Sequence, residues 1–134
     1  MTTDYFSTFI AVAADCPVAT AAVPPDGAKP TVASLQYALL HERPYELTSD
    51  DVLFTVHALR SGIPDDERDA ERERFFARDQ PCLRASPLPK RYGWGLHYDA
   101  EGRVALVGAG TPLYDELLSR SDLVQKAAMR SSRR

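Results

Sequence analysis

A chain of 134 residues is about one domain long, and a domain of that size buries roughly two thirds of the surface its unfolded form exposes, so it can support its own core. Its 44% hydrophobic and 26% charged fractions exclude wholesale disorder and a fibrous repeat. A net charge of −3 and a pI near 5.6 argue against generic nucleic-acid binding.

The charge is unevenly spread. Residues 1–67 hold ten acidic against three basic side chains, net −7, and residues 68–134 hold nine against thirteen, net +4. Such polarity can steer an anionic partner or mate two halves of one fold. The start, Met1-Thr2-Thr3-Asp4, has no basic region, and the apolar run at 9–14 is too short for a secretory signal. No stretch approaches the ~20 apolar residues that span a bilayer, so no membrane partner is expected. Cys16 and Cys82 lie 66 positions apart without further pairs, which is no disulfide framework and points to a reducing cytoplasm.

In chain order, residues 5–13 are apolar and aromatic, carry no helix cap, and read as a strand at or near the middle of a sheet. Pro17, Pro24, Pro25, Gly27 and Pro30 make 15–30 a long irregular connection, with room for a helical turn at 18–23. Thr31 is an N-cap for a helix to about Glu42, whose stripe is Val32, Leu35, Leu39 and Leu40 and whose stop is Pro44. Thr48-Ser49-Asp50-Asp51 opens a second helix over 50–61, ended by Gly62 and Pro64, although alternating Val52, Phe54 and Val56 also allows a strand. Pro64 and three acidic residues start a third helix to about Arg78, with sign-alternating pairs three apart on a solvated face.

Residues 82–86 read as a short strand and Pro87-Leu88-Pro89 as a rigid connection. Residues 92–98 and 103–107 form an expected antiparallel hairpin around Asp99-Ala100-Glu101-Gly102, with Gly102 left-handed. Thr111 caps a last helix over 112–119, and the tail through Met129 and Arg130 is polar, basic and prone to fray. The sum is an α+β fold: a small antiparallel sheet including a C-terminal hairpin, packed with about four helices. One domain spans 1–125, and 126–134 is a basic polar tail.

The run from Gln80-Pro81-Cys82-Leu83-Arg84 through Tyr92-Gly93-Trp94-Gly95-Leu96-His97 resembles a family of small single-domain bacterial proteins known only as a domain of unknown function. The likeness extends to Thr3-Asp4-Tyr5-Phe6, Asp15-Cys16-Pro17, Thr48-Ser49-Asp50-Asp51-Val52 and Lys126-Ala127-Ala128-Met129-Arg130, and so covers nearly the whole chain. It implies no mechanism and carries over no site.

From the residues themselves, Arg84, Ser86, Lys90 and Arg91 supply three cations and a hydroxyl on a proline-stiffened segment, a combination suited to a phosphate or carboxylate. The competing reading is a solvated loop paired with the acidic first half. Trp94 between glycines can stack on a ligand, or with Leu96 and Tyr98 form the core face of the hairpin. Cys82 and His97 are candidates for nucleophile and base, against an inert thiol. Cys16, Cys82, His57 and His97 lack the close pairing of zinc sites, so no metal is expected. His41 near a helix end and Asp50 with Asp51 at a helix start fit capping roles. No Gly-rich phosphate loop, HExxH pattern or nucleophile elbow appears, and no cofactor is expected. The segment 80–97 is therefore expected to bind an anionic small molecule, with or without turning it over. The alternative is an interaction module for nucleic acid or an acidic protein, using a basic stripe continuous with Arg130 and Arg133.

Overall fold

The computed structural model of the chain describes residues 2–131. Its elements are β1 (Thr8–Ala11), α1 (Val32–Glu42), α2 (Ser49–Ser61), α3 (Arg68–Phe76), α4 (Pro87–Arg91), β2 (Trp94–Tyr98), β3 (Val104–Gly108), α5 (Pro112–Ser119) and β4 (Val124–Ala127). Single 3-10 turns at Asp65–Glu67 and Leu83–Ala85 precede α3 and α4. No helix among the described residues is long and apolar enough to cross a membrane.

The strands form one sheet in the order β3-β2-β1-β4, which is an α+β arrangement with β1 in the interior. The hairpin β2/β3 is antiparallel with Leu96 opposite Leu106, and β1 runs antiparallel to β2 with Phe9 opposite His97. The sheet is mixed rather than purely antiparallel, because β4 pairs with β1 in parallel. That strand lies where no strand was expected, and its last two residues belong to the stretch read as tail.

Two cores follow from the alternation of side chains along the strands. Ile10, Leu96, Tyr98 and Val104 on one face meet Leu40 of α1, Val52 of α2 and Leu88 of α4. Phe9 and Val107 on the other face meet Tyr114 and Leu117 of α5. Gly95 is required here, since a Cβ would lie 2.9 Å from both the Phe9 and Tyr114 rings.

Capping explains where the helices begin. Thr31 and Thr48 each accept a backbone N–H at the third helical position, closing capping boxes with Ser34 and Asp51. Gly62 ends α2 in the left-handed conformation with φ 65°, and Gly102 does the same in the hairpin turn with φ 81°. Residues 82–86, expected as a strand, instead carry the 3-10 turn, and the stiff connection 87–89 is the first part of α4. Ser86 caps that helix by accepting the Leu88 N–H, and Pro87 suits the first position because it has no N–H to satisfy. The connection 15–30 contains no helical turn and is laid against the open end of the β2/β3 hairpin by Ala21 N–H to Ala109 C=O and Ala22 N–H to Tyr92 C=O.

Candidate functional site

The residues singled out between 80 and 97 do not converge on one point. Arg84 donates from Nε to the Ala127 carbonyl at 2.7 Å, beside the end of β4. Ser86 is buried, donating to Gln36 Oε1 at 2.5 Å while accepting the Leu88 N–H at 3.1 Å. Lys90 and Arg91 close α4, Lys90 half-buried and Arg91 exposed over a cavity of about 400 Å³ that it shares with Asp26 and Tyr92.

Trp94 faces the helical core with Leu96 and Tyr98, tilts against Tyr37 at 5.4 Å, and donates its indole N–H to the Ala22 carbonyl at 2.8 Å. Its neighbour Gly93 permits a close backbone approach, since a Cβ there would meet Thr20 O and Ala21 Cα at 3.1 Å. Both features hold the 15–30 connection in place.

Cys82 and His97 lie on opposite faces of the sheet. Cys82 Sγ sits 3.1 Å from the Tyr5 hydroxyl, and Tyr5 packs edge-on against Tyr98 on the helical side. His97 points the other way, and its Nδ1 shares a 2.7 Å hydrogen bond with the Tyr45 hydroxyl. Burial, then the nearby Arg120 charge, lowers the His97 pKa, so the ring is neutral at pH 7. Tyr45, which sequence patterns did not single out, holds a left-handed backbone with φ 59°. Nothing in the sequence signals that geometry, because tyrosine carries no preference for it.

The other candidates have structural partners. Asp51 completes the α2 capping box and pairs with Arg72 at 2.9 Å, while Asp50 accepts from the Thr3 N–H and hydroxyl, both at 2.7 Å. His57 stacks on Phe75 and His41 on Tyr37. Among the described residues, no group of three or more His, Cys, Asp or Glu side chains is placed to hold a metal ion. Arg130 directly follows Met129, whose N–H donates to the Arg84 carbonyl, whereas Arg133 lies outside the described residues.

A sizeable concavity lies elsewhere, between α1 and α2. It measures about 560 Å³ and is lined by Lys29, Pro30, Leu35, Leu59 and Arg60. Arg60 also borders a second cavity of about 220 Å³ with Val32, Gln36 and Leu53, and those three residues in turn border a slot of about 150 Å³ that reaches Cys82 and Ser86. The three cavities thus neighbour one another along α1 and α2, with two cations lining the first and Cys82 lining the last. Lys29 and Arg60 have no acidic partner among the described residues. Helical spacing puts Leu59 on the apolar stripe of α2, so its exposure beside Arg60 had no signal in the sequence.

No curated protein and no solved structure matches the chain. A family of unknown function, DUF6157, matches residues 1–134, and the chain belongs to that family.

Proposed function

We propose that the protein binds an anionic small molecule with an apolar body in the groove between α1 and α2, its charge held by Lys29 and Arg60. The observation that carries this reading is the 560 Å³ cavity lined by Leu35, by Leu59, which is 48% exposed, and by two cations with no acidic partner among the described residues. Small-molecule sites are concave, mostly apolar, and about 300–1,000 Å³ in volume with a few polar groups that fix orientation. Two free cysteines fit a reducing cytoplasm as the setting. The anionic ligand is the class expected from the sequence, but the proposed site moves from the 84–91 cations to the cavity between α1 and α2.

Thermal shifts with hexyl phosphate, hexanoate and hexanol test it. Ligand present at about 100 times its Kd stabilises a fold by about 2.7 kcal/mol, which raises Tm by several degrees. The two anions are expected to do so and hexanol is not. The response is lost in Lys29→Ala/Arg60→Ala and kept in Arg91→Ala. A response that survives the double substitution places the ligand elsewhere.

One observation favours the second reading, an interaction module for an acidic partner: the Met129 N–H bond to Arg84 brings Arg130 out beside the turn that carries Arg84. Titration of a single-stranded oligonucleotide checks it for nucleic acid, since phosphate contacts give steeply salt-dependent binding. No binding at low ionic strength removes that partner.

A further inference from the structure

We propose that the apolar body of the ligand is an unbranched chain of about eight carbons lying between α1 and α2, so that the protein takes medium-chain alkyl or acyl anions. This rests on Lys29 and Arg60 holding the charge, and it assigns the rest of the ligand to the second cavity.

Helical spacing sets the walls of that cavity. On α2, Leu53, Val56, His57 and Arg60 follow one another at i, i+3, i+4 and i+7 and so share one face. On α1, Val32 and Gln36 are four apart and line the same space of about 220 Å³. Arg60 lines both this cavity and the one of about 560 Å³ that Lys29 lines. An anion on Arg60 therefore sits at the cationic end of a stripe whose other end is Leu53. Among the described residues no acidic side chain lines either cavity.

Burial gives the direction. In the first cavity Arg60 is exposed and Leu59 is 48% exposed, whereas in the second Val56 is only 5% exposed. A charge is costly to bury and an apolar chain is not, so the head stays at the wet rim and the chain lies along Val32, Val56 and Leu53. A space of about 220 Å³ is smaller than the ~300 Å³ at which small-molecule sites begin, so it takes part of a ligand rather than a whole one. From Leu53 to Arg60 the helix rises about 10 Å, at ~1.5 Å per residue. An extended chain gains about 1.25 Å per methylene from C–C bonds of ~1.5 Å, so about eight carbons match that length.

The test is isothermal titration calorimetry of the full chain with butyl, hexyl, octyl and decyl phosphate below their micellar concentrations. Each buried methylene is worth ~0.8 kcal/mol, a factor of about four in Kd, so octyl phosphate is expected to bind up to about two-hundredfold tighter than butyl phosphate, and decyl no tighter than octyl. Octanoate is expected to show the same gain over butyrate, since the chain and not the head supplies it. Ser61 is exposed and lines the second of these two cavities but not the first. Ser61→Phe fills that space and is expected to bring octyl phosphate down to the affinity of butyl phosphate, whose own binding stays as it was and so reports that the variant is folded. Equal affinities for butyl and octyl phosphate in the unmutated chain, or an unchanged octyl affinity in Ser61→Phe, overturn the chain and leave the anion site standing. A further gain at decyl overturns the length. Affinities that Lys29→Ala/Arg60→Ala leaves unchanged overturn the anion site, and the chain with it.

Discussion

Two tyrosines on opposite faces of the sheet show how differently one hydroxyl can weigh on stability. Tyr98 is fully buried, and among the described residues its O–H has no hydrogen-bond partner of good geometry, although the Ser49 hydroxyl lies near it. Burial drives its pKa far up, so the group stays protonated. Tyr114 instead accepts the Val12 N–H at 2.9 Å. Both rings make edge-on contacts, with Tyr5 and Phe9 respectively, which a phenylalanine keeps. Tyr98→Phe is therefore expected to be neutral or stabilising by up to ~1 kcal/mol, because it deletes an unmet donor. Tyr114→Phe is expected to cost ~1–3 kcal/mol, because it orphans a backbone N–H. Urea melts of both variants check the ordering, and a larger loss for Tyr98→Phe would contradict the assignment of its hydroxyl as unpaired.

The start of α2 is the element where charge and helix chemistry meet. For Asp51, burial raises the pKa, but the Thr48 N–H and Arg72 together pull it below the ordinary 3.8. A depressed folded pKa gives stability that is present above the unfolded value and lost as pH falls through the folded one. Asp4, which accepts the Asp50 N–H, has the opposite sign: burial raises its pKa above 3.8, so protonation near and below that pH favours the fold. Asp51→Asn should be less stable than the unmutated chain at pH 7 and lose less on acidification below about pH 4. Asp4→Asn should lose more steeply over the same range. Denaturant midpoints from pH 7 to pH 2.5 measure both slopes, and parallel curves would refute the sign difference. Such caps were legible in the sequence, since Thr31, Thr48 and Thr111 each precede a helix, and so were the hairpin and its Gly102 turn. The stretch 82–91 was not, because a 3-10 turn and a five-residue helix are too short for periodicity to speak, and Ser86-Pro87 signals a helix start as readily as a rigid connection. Nor was the groove legible, since Lys29 and Arg60 meet only after α1 packs on α2.

At the scale of the whole molecule, the charge asymmetry between the halves is left largely unmated. The one ion pair among the described residues that joins distant parts of the chain is Arg72 with Asp51, the others lying within three positions. Cations of the second half thus stay available for other work, and Arg84 has a structural share of it. The strand β4 buries none of its four side chains, which is why hydrophobic patterning did not reveal it. It is held by backbone bonds, Val124 N–H to Ser7 C=O and Ala128 N–H to Ala11 C=O, by the burial of flanking Leu123 and Ala128, and by Arg84. The Arg84 guanidinium bonds Ala127 C=O, and the Arg84 carbonyl accepts from Met129, so one residue clamps the strand end from two sides. Without β4, β1 would present an open edge for pairing with another chain. Arg84→Ala removes a charged hydrogen bond worth about 1.5–3 kcal/mol, and if that energy falls wholly on local opening, amide exchange rises about ten- to a hundredfold. Hydrogen-exchange mass spectrometry should place that rise in 124–129 and leave β2 and β3 protected. The same substitution is the natural probe of an anion site at Arg84, and the two roles separate cleanly: faster exchange in β4 with an intact response to hexyl phosphate marks a clamp, and unchanged exchange with a lost response marks a ligand contact.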